Sequence, residues 1–378
     1  MEKLLKEEKK VEYLELIYDL IFVYVIGRNN TLLHHIGEAD DIFPMFAAYV
    51  LCTLAVIQIW NFTTYYINMH GRNGIRDHIF LFVNMYLLYY IAQGTRINWE
   101  SYQFRYHMAW GLILINIGMQ YVIELHGHRN EPHLRAQLRH MAVVLFGEAL
   151  IVFCGIPVYS ITGKNLLALP AVIFGIAASM IHRKHVKVIH VDFAHLSERV
   201  MLYVVFSFGE MIIALSGYFE DTISVNNFYF SVMSFLVAVG LFLCYGMMYD
   251  KILDREISTT GLGFMMIHIF LIFALNNITI SLEFMHDEDV SLLPKITFLI
   301  VSLLMFYASM LSLTLYSKKC IHITGKNTAV ICLTAVCFSA LMFLLRENMY
   351  LNIALTVVYT FGIFLTLVKV GRSVKAAE

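Results

Sequence analysis

Two glutamates stand where a carboxylate is costly. His133-Leu134, then Phe146-Gly147-Glu148, then Gly155 recur 62 residues later as His195-Leu196, Phe208-Gly209-Glu210 and Gly217. Each glutamate lies in an apolar run, where an ionisable group marks a functional site by default. The glycine before it lets a backbone or a ligand approach closely. The chemistry on offer is binding of an ion, a proton or a substrate. The competing reading is a protonated glutamate that bridges two helices.

Glu15 and Asp19 add a second pair. Four residues apart, they share one helix face. Two carboxylates at low dielectric rarely both ionise, so this pair is a candidate proton carrier. His195, Glu198 and Arg199 follow helical spacing at the start of a later span. They read as a cytoplasmic gate, a head-group clamp or an interfacial ion pair. Asn84 and Asn277 are secondary polar candidates. They extend the glutamate spacing, at 64 residues before Glu148 and 67 after Glu210. Asp19, Glu148 and Glu210 are each expected roughly 8–13 residues from the inner end of a helix, about 12–20 Å deep, where they could converge on one cavity.

These residues must be held by membrane helices. Of 378 residues, 59% are hydrophobic and 15% charged, with mean hydropathy +0.68. Apolar runs of about 20 residues follow one another with short gaps, the pattern of a polytopic helical membrane protein. The fold class is all-α, a transmembrane bundle of one integral membrane domain over 1–378, with no separate soluble domain. Twelve spans are expected, at roughly 11–27, 43–68, 77–95, 106–124, 138–157, 167–182, 197–218, 226–249, 260–283, 292–316, 327–346 and 349–369. With the N-terminus inside and strict alternation, 21 of the 27 Lys and Arg fall on inner segments and 6 on outer ones. The positive-inside rule therefore puts both termini in the cytoplasm. The 62-residue offset equals one helical hairpin, so a genuine repeat is a parallel one. The basic, then apolar start reads as a retained first helix, because Glu15 and Asp19 interrupt it.

Several classes lose support. No large basic domain favours nucleic acid. Five of the six cysteines lie in apolar segments without zinc-finger spacing and read as packing residues. His126, His128, His133 and His140 fall near one inner loop, and His182, His185, His190 and His195 near the next. Neither set has tight ligand spacing, so no metal and no cofactor are expected. His107 and His268 read as hydrogen-bonded packing residues. No hydrolase signature or phosphate loop is present, and no catalytic residue is assigned. Pro44, Pro157, Pro170 and Pro294 fall near expected helix ends and Pro132 in a loop, with none mid-span. Gly111, Gly118, Gly175 and Gly240 read as close-packing positions or as helix breaks.

At these residues the chain resembles the bacterial low-temperature-requirement A (LtrA) family. That family's Glu-Leu-aromatic-aromatic-Asp-Leu-x-Phe-Val pattern reads here as Glu15-Leu16-Ile17-Tyr18-Asp19-Leu20-Ile21-Phe22-Val23. Its His-x-x-Glu-Arg followed by Gly-Glu reads as His195, Glu198, Arg199, Gly209 and Glu210. Trp60, Tyr65 and Arg72 fit the second-helix region. Ile17 replaces an aromatic, and Met211 stands where serine is frequent. The resemblance implies a multi-pass inner-membrane protein linked by name to growth in the cold, and brings no substrate.

The leading expectation is a secondary transporter that couples a proton or another cation to an unknown small molecule or lipid. The alternatives are an intramembrane enzyme or lipid- and envelope-handling factor, and an ion channel. The lipid bilayer is the one partner that composition itself implies. Oligomeric state is not written in these residues.

Overall fold

The computed structural model describes residues 9–33, 42–94, 99–128, 130–181, 191–219, 224–285, 291–319 and 325–375. Among them run twelve α-helices: α1 (Tyr13–Asn30), α2 (Ile42–His70), α3 (Ile75–Gly94), α4 (Trp99–Gly127), α5 (Pro132–Thr162), α6 (Ala168–Ile181), α7 (Phe193–Ala214), α8 (Val225–Met247), α9 (Leu262–Phe284), α10 (Leu292–Leu313), α11 (Gly325–Leu344) and α12 (Met349–Lys375). Beyond a single isolated bridge from Leu253 to Ser317, the described residues form no strand. The all-helical, twelve-helix expectation holds. Among the described residues, nine helices are long and apolar enough to cross a membrane. The other three are α1, α3 and the short α6. Glu15, Asp19 and Arg28 all lie on α1, so its polar load is also its chemistry.

Local signals explain the helix ends. Asp192 caps α7 by accepting the His195 N–H at 3.2 Å, and Ser224 caps α8 by accepting the Asn227 N–H at 3.0 Å. Gly163, at φ 67°, ends α5 in the left-handed conformation and bonds Tyr159 O at 2.7 Å. Two proline readings change. Pro132 opens α5 rather than lying in a loop, and α5 runs on past Pro157 to Thr162. Proline tolerates the first helical turn because that turn's N–H has no intrahelical partner. Past Pro157 the Thr162 hydroxyl bonds Val158 O at 2.7 Å and supports the last turn.

The chain divides by contact into two compact units, one of residues 1–203 with 258–265, the other of 204–257 with 266–378. In the first, α2 packs on α1, α4 and α6, α3 bridges α1 and α4, and α5 lies along α4 and α6. In the second, α12 packs on α8 and α11, and α11 on α10. The close-packing reading of the glycines fits. A Cβ at Gly111 would meet the Phe153 ring at 2.5 Å, and one at Gly240 would meet Thr360 Oγ1 at 2.6 Å. The inner segment with His182, Arg183, Lys184, His185, Lys187 and His190 lies outside the described residues, as does Cys320.

Candidate functional site

Two in-register rungs join α1 to α7. His195 Nε2 lies 3.2 Å from Glu15 Oε2, and Arg199 Nη2 donates to Asp19 Oδ1 at 2.9 Å. Each rung spans 180 residues, and both advance four residues in the same direction. The two helices therefore run parallel, as alternation across five intervening helices requires. Arg199 Nε also donates to Asp19 Oδ2 at 3.4 Å and sits 3.7 Å from Glu15 Oε2. Trp60 of α2 completes the Asp19 shell, its Nε1–H donating to Oδ1 at 2.7 Å. Asp19 and Arg199 are both 0% exposed. One fixed cation thus faces two carboxylates away from solvent. Arg199 Nη1 meets no acceptor among the described residues.

Asn68 of α2 decides which histidine nitrogen carries hydrogen. Its Oδ1 accepts the Asp192 N–H at 3.1 Å, and its Nδ2 donates to Asp192 O at 2.9 Å. That double bond to one residue pins the amide's orientation. The same Nδ2 lies 3.0 Å from His195 Nδ1, which must accept. Nε2 then holds the hydrogen and donates it to Glu15. Glu198 is turned to the exposed side of α7. The three residues expected to act as one gate or clamp are therefore divided, two turned inward onto α1 and one outward.

A cavity of about 370 Å³ opens beside this ladder, between the segment before α1, the α2–α3 corner and the start of α3. Buried Leu14, Glu15 and Leu81 line its floor, while Lys10, Arg72 and Asn73 stand exposed at its rim. Lys9 bonds the carbonyls of Ile67 and Gly71 and so caps the C-terminus of α2. Burial holds the Lys9 ammonium below its usual range, with Glu15 pulling the other way. The corner is fixed by Asp77, which accepts the Arg72 N–H at 2.8 Å, and by Glu124 of α4, which pairs with Arg72 and Arg76.

Asn84 joins the same unit through Tyr18, on a face of α1 adjacent to the ladder. It accepts from Asn116 at 2.8 Å and donates to Tyr18 OH at 3.4 Å, and Tyr18 OH lies 2.9 Å from Thr63 Oγ1.

Glu148 stands apart from the ladder. Its Oε2 accepts from Gln58 Nε2 at 3.3 Å, and Gln58 also donates to Val172 O at 3.1 Å. Gln58 and Trp60 are two residues apart on α2, so Glu148 and Asp19 bond to different sides of that helix. Along the α2 axis Gln58 and Trp60 are only about 3 Å apart, so the two carboxylates are held at neighbouring heights on that helix. No ion pair reaches Glu148 among the described residues. Gly175 of α6 leaves the room its carboxylate occupies, since a Cβ there would collide with Glu148 and Gln58.

The second copy of the motif is set differently. Glu148 is fully buried and Glu210 only partly, while His133 is exposed where its counterpart His195 is buried. Glu210 and buried Asn277 belong to the second unit.

The family model described as Bacterial low temperature requirement A protein (LtrA) matches residues 10–363. The chain belongs to this family. No curated protein matches it in sequence. The ladder, Glu148 and the cavity lining except Lys9 fall inside the stretch that the LtrA family model covers.

Four further histidines bond locally. His107 Nδ1 bonds Gln103 O at 2.8 Å and His268 Nε2 bonds Tyr245 OH at 3.2 Å, as packing residues do. His140 lies 3.0 Å from Ala178 O, and His128 bonds Glu131 at 3.0 Å. Sequence reasoning missed Asn68 and Gln58, and gave Trp60 no role. Their signal was polarity within the apolar second span.

Proposed function

We propose that this LtrA-family protein is a secondary transporter of the cytoplasmic membrane that uses the α1 carboxylates to couple a proton or another cation to movement of a small solute or lipid. One observation carries the reading. Glu15 and Asp19 share one buried cation, Arg199, and Glu15 lines a cavity that opens at the end of the bundle where α1 starts. On the positive-inside orientation that end faces the cytoplasm.

The two carboxylates are not equivalent. Asp19 takes hydrogen bonds from Arg199 and Trp60 and is locked. Glu15 accepts from His195 on Oε2 alone, and no described hydrogen bond reaches its Oε1. Glu15 is therefore the group that takes and releases the coupling ion, and Asp19 with Arg199 is the fixed charge that tunes it. Glu148 is a second buried carboxylate serving the same bundle, and Glu210 its counterpart in the other unit.

Charge movement tests this without a known substrate. Proteoliposomes on a solid-supported membrane receive a pH step or a cation step, with candidate solutes added in turn. The reading predicts a transient current that saturates with the ion and disappears in Glu15→Gln. A folded wild-type protein that gives no current under any step would overturn it.

A further inference from the structure

We infer that the polar face of α2 holds internal water and carries protons between the Glu15–Asp19 ladder and Glu148. The inference deepens the proton-coupling reading by giving Glu148 a route to the same ion.

The face is defined by five side chains. Taking Trp60 as zero, Thr64, Asn68, Asn61 and Gln58 follow at roughly 40°, 80°, 100° and 160° around the helix axis. All five are buried. The two flanks of this arc are already engaged. Trp60 and Asn68 bond Asp19 and His195 on one side, and Gln58 bonds Glu148 on the other. Thr64 lies between Trp60 and Asn68, and Asn61 between Asn68 and Gln58.

Those middle residues are unsatisfied. Asn61 Nδ2 and Oδ1 and Thr64 Oγ1 have no hydrogen-bond partner among the described residues. Gln58 Oε1, Glu148 Oε1 and Arg199 Nη1 share that state. Each end of the arc and its centre therefore present donors or acceptors that no described residue engages. An apolar side chain would serve better at any of these positions if packing were the only demand, because a buried polar group left unpaired is destabilising. Water answers the demand, since it both donates and accepts and bridges two to four such groups. From Asn68 to Gln58 the face rises about 15 Å. Ile67 and Gly71, at the inner end of α2, line the cavity. A hydrated face of this length joins the cavity end of the ladder to the interior glutamate.

The test is hydrogen–deuterium exchange of the Glu148 carboxyl, followed by infrared spectroscopy of the reconstituted protein. The acid C=O band that Glu148→Gln removes is assigned to Glu148. The band is expected to shift soon after a switch to heavy water in the wild type. In Asn61→Leu with Thr64→Val the shift is expected to slow about tenfold or more, because the bridging groups are gone. Thr64→Val alone, which nearly preserves shape, gives the same reading if the double variant fails to fold. Equal exchange in wild type and variant would overturn the inference, as would a folded wild type with no acid band assigned to Glu148. Neither result depends on transport. A normal exchange rate with no charge movement would defeat the transporter reading and leave the hydrated face standing.

Discussion

Arg199 Nη2 lies 2.9 Å from Asp19 Oδ1, and neither side chain touches solvent. The pair crosses from the seventh helix to the first and fixes the spacing of everything around it. Two buried charges in contact are stable together and costly apart, because removing one leaves the other unpaired at low dielectric. Asp19→Asn and Arg199→Gln are each expected to lose about 3–5 kcal/mol. The double variant is expected to lose less than the sum, because neither member of the pair is left facing a neutral replacement of the other. Unfolding of the four proteins in detergent measures the coupling.

The hydrogen on His195 is the second expectation. Asn68 forces Nδ1 to accept, so nitrogen-15 spectra of the His195 imidazole are expected to show hydrogen on Nε2 alone. Asn68→Asp replaces the donor with an acceptor, and Nδ1 then gains a hydrogen. His195→Gln assigns the signal. A wild-type spectrum with hydrogen on Nδ1 would contradict the geometry and remove the reason for calling Glu15 the acceptor.

Gly175 is the third. Any Cβ there meets the Glu148 carboxylate and the Gln58 amide. Gly175→Ala is expected to break their hydrogen bond and cost about 1–3 kcal/mol by overpacking. Glu148→Ala in the same chain opens the space again, so the two substitutions together are expected to cost less than their sum. Thermal unfolding of the single and double variants checks this.

Lys9 gives a pH dependence outside the membrane spans. Burial lowers its pKa from 10.5, so near that pH the unfolded chain holds more protons than the folded one. Stability carried by Lys9 is fully present above 10.5 and is lost as pH falls through the lower folded value. Unfolding between neutral pH and the lysine range is expected to show a rise with pH that Lys9→Met flattens. A slope unchanged in Lys9→Met would remove the lysine from the account.

Much of the scaffold was legible because helix length and apolar content set it. Each of the twelve expected spans overlaps one observed helix, and the main differences are extended ends such as Pro132–Thr162. Most members of the site were legible too, but as two sites. Glu15 with Asp19 and His195 with Arg199 each repeat at four residues, so each pair marks a face. That these two faces meet is a property of which helices are neighbours, and periodicity within one helix says nothing of that. The matching step, with hydrogen-bond donors on one pair and carboxylates on the other, was the available clue. The glutamate repeat misled in one respect. Equal sequence surroundings suggested equal environments, yet Glu148 is sealed between α2 and α6 while Glu210 is partly exposed. Asn68 and Gln58 went unnoticed because an amide in an apolar helix signals polarity without naming its partner.

The central claim is that water reaches Glu15 from one side of the membrane. The six native cysteines are replaced, and Leu81→Cys and Asn73→Cys are made one at a time. Leu81 lies at the cavity floor beside Glu15, and Asn73 at its rim. A membrane-impermeant thiol reagent is applied to vesicles from each face. The account predicts that Leu81→Cys labels from the cytoplasmic face, the one that labels Asn73→Cys, and is protected from the other. Protection of Leu81→Cys from both faces, in a folded protein whose Asn73→Cys still labels, would mean that the ladder is sealed and that Glu15 exchanges no ion there.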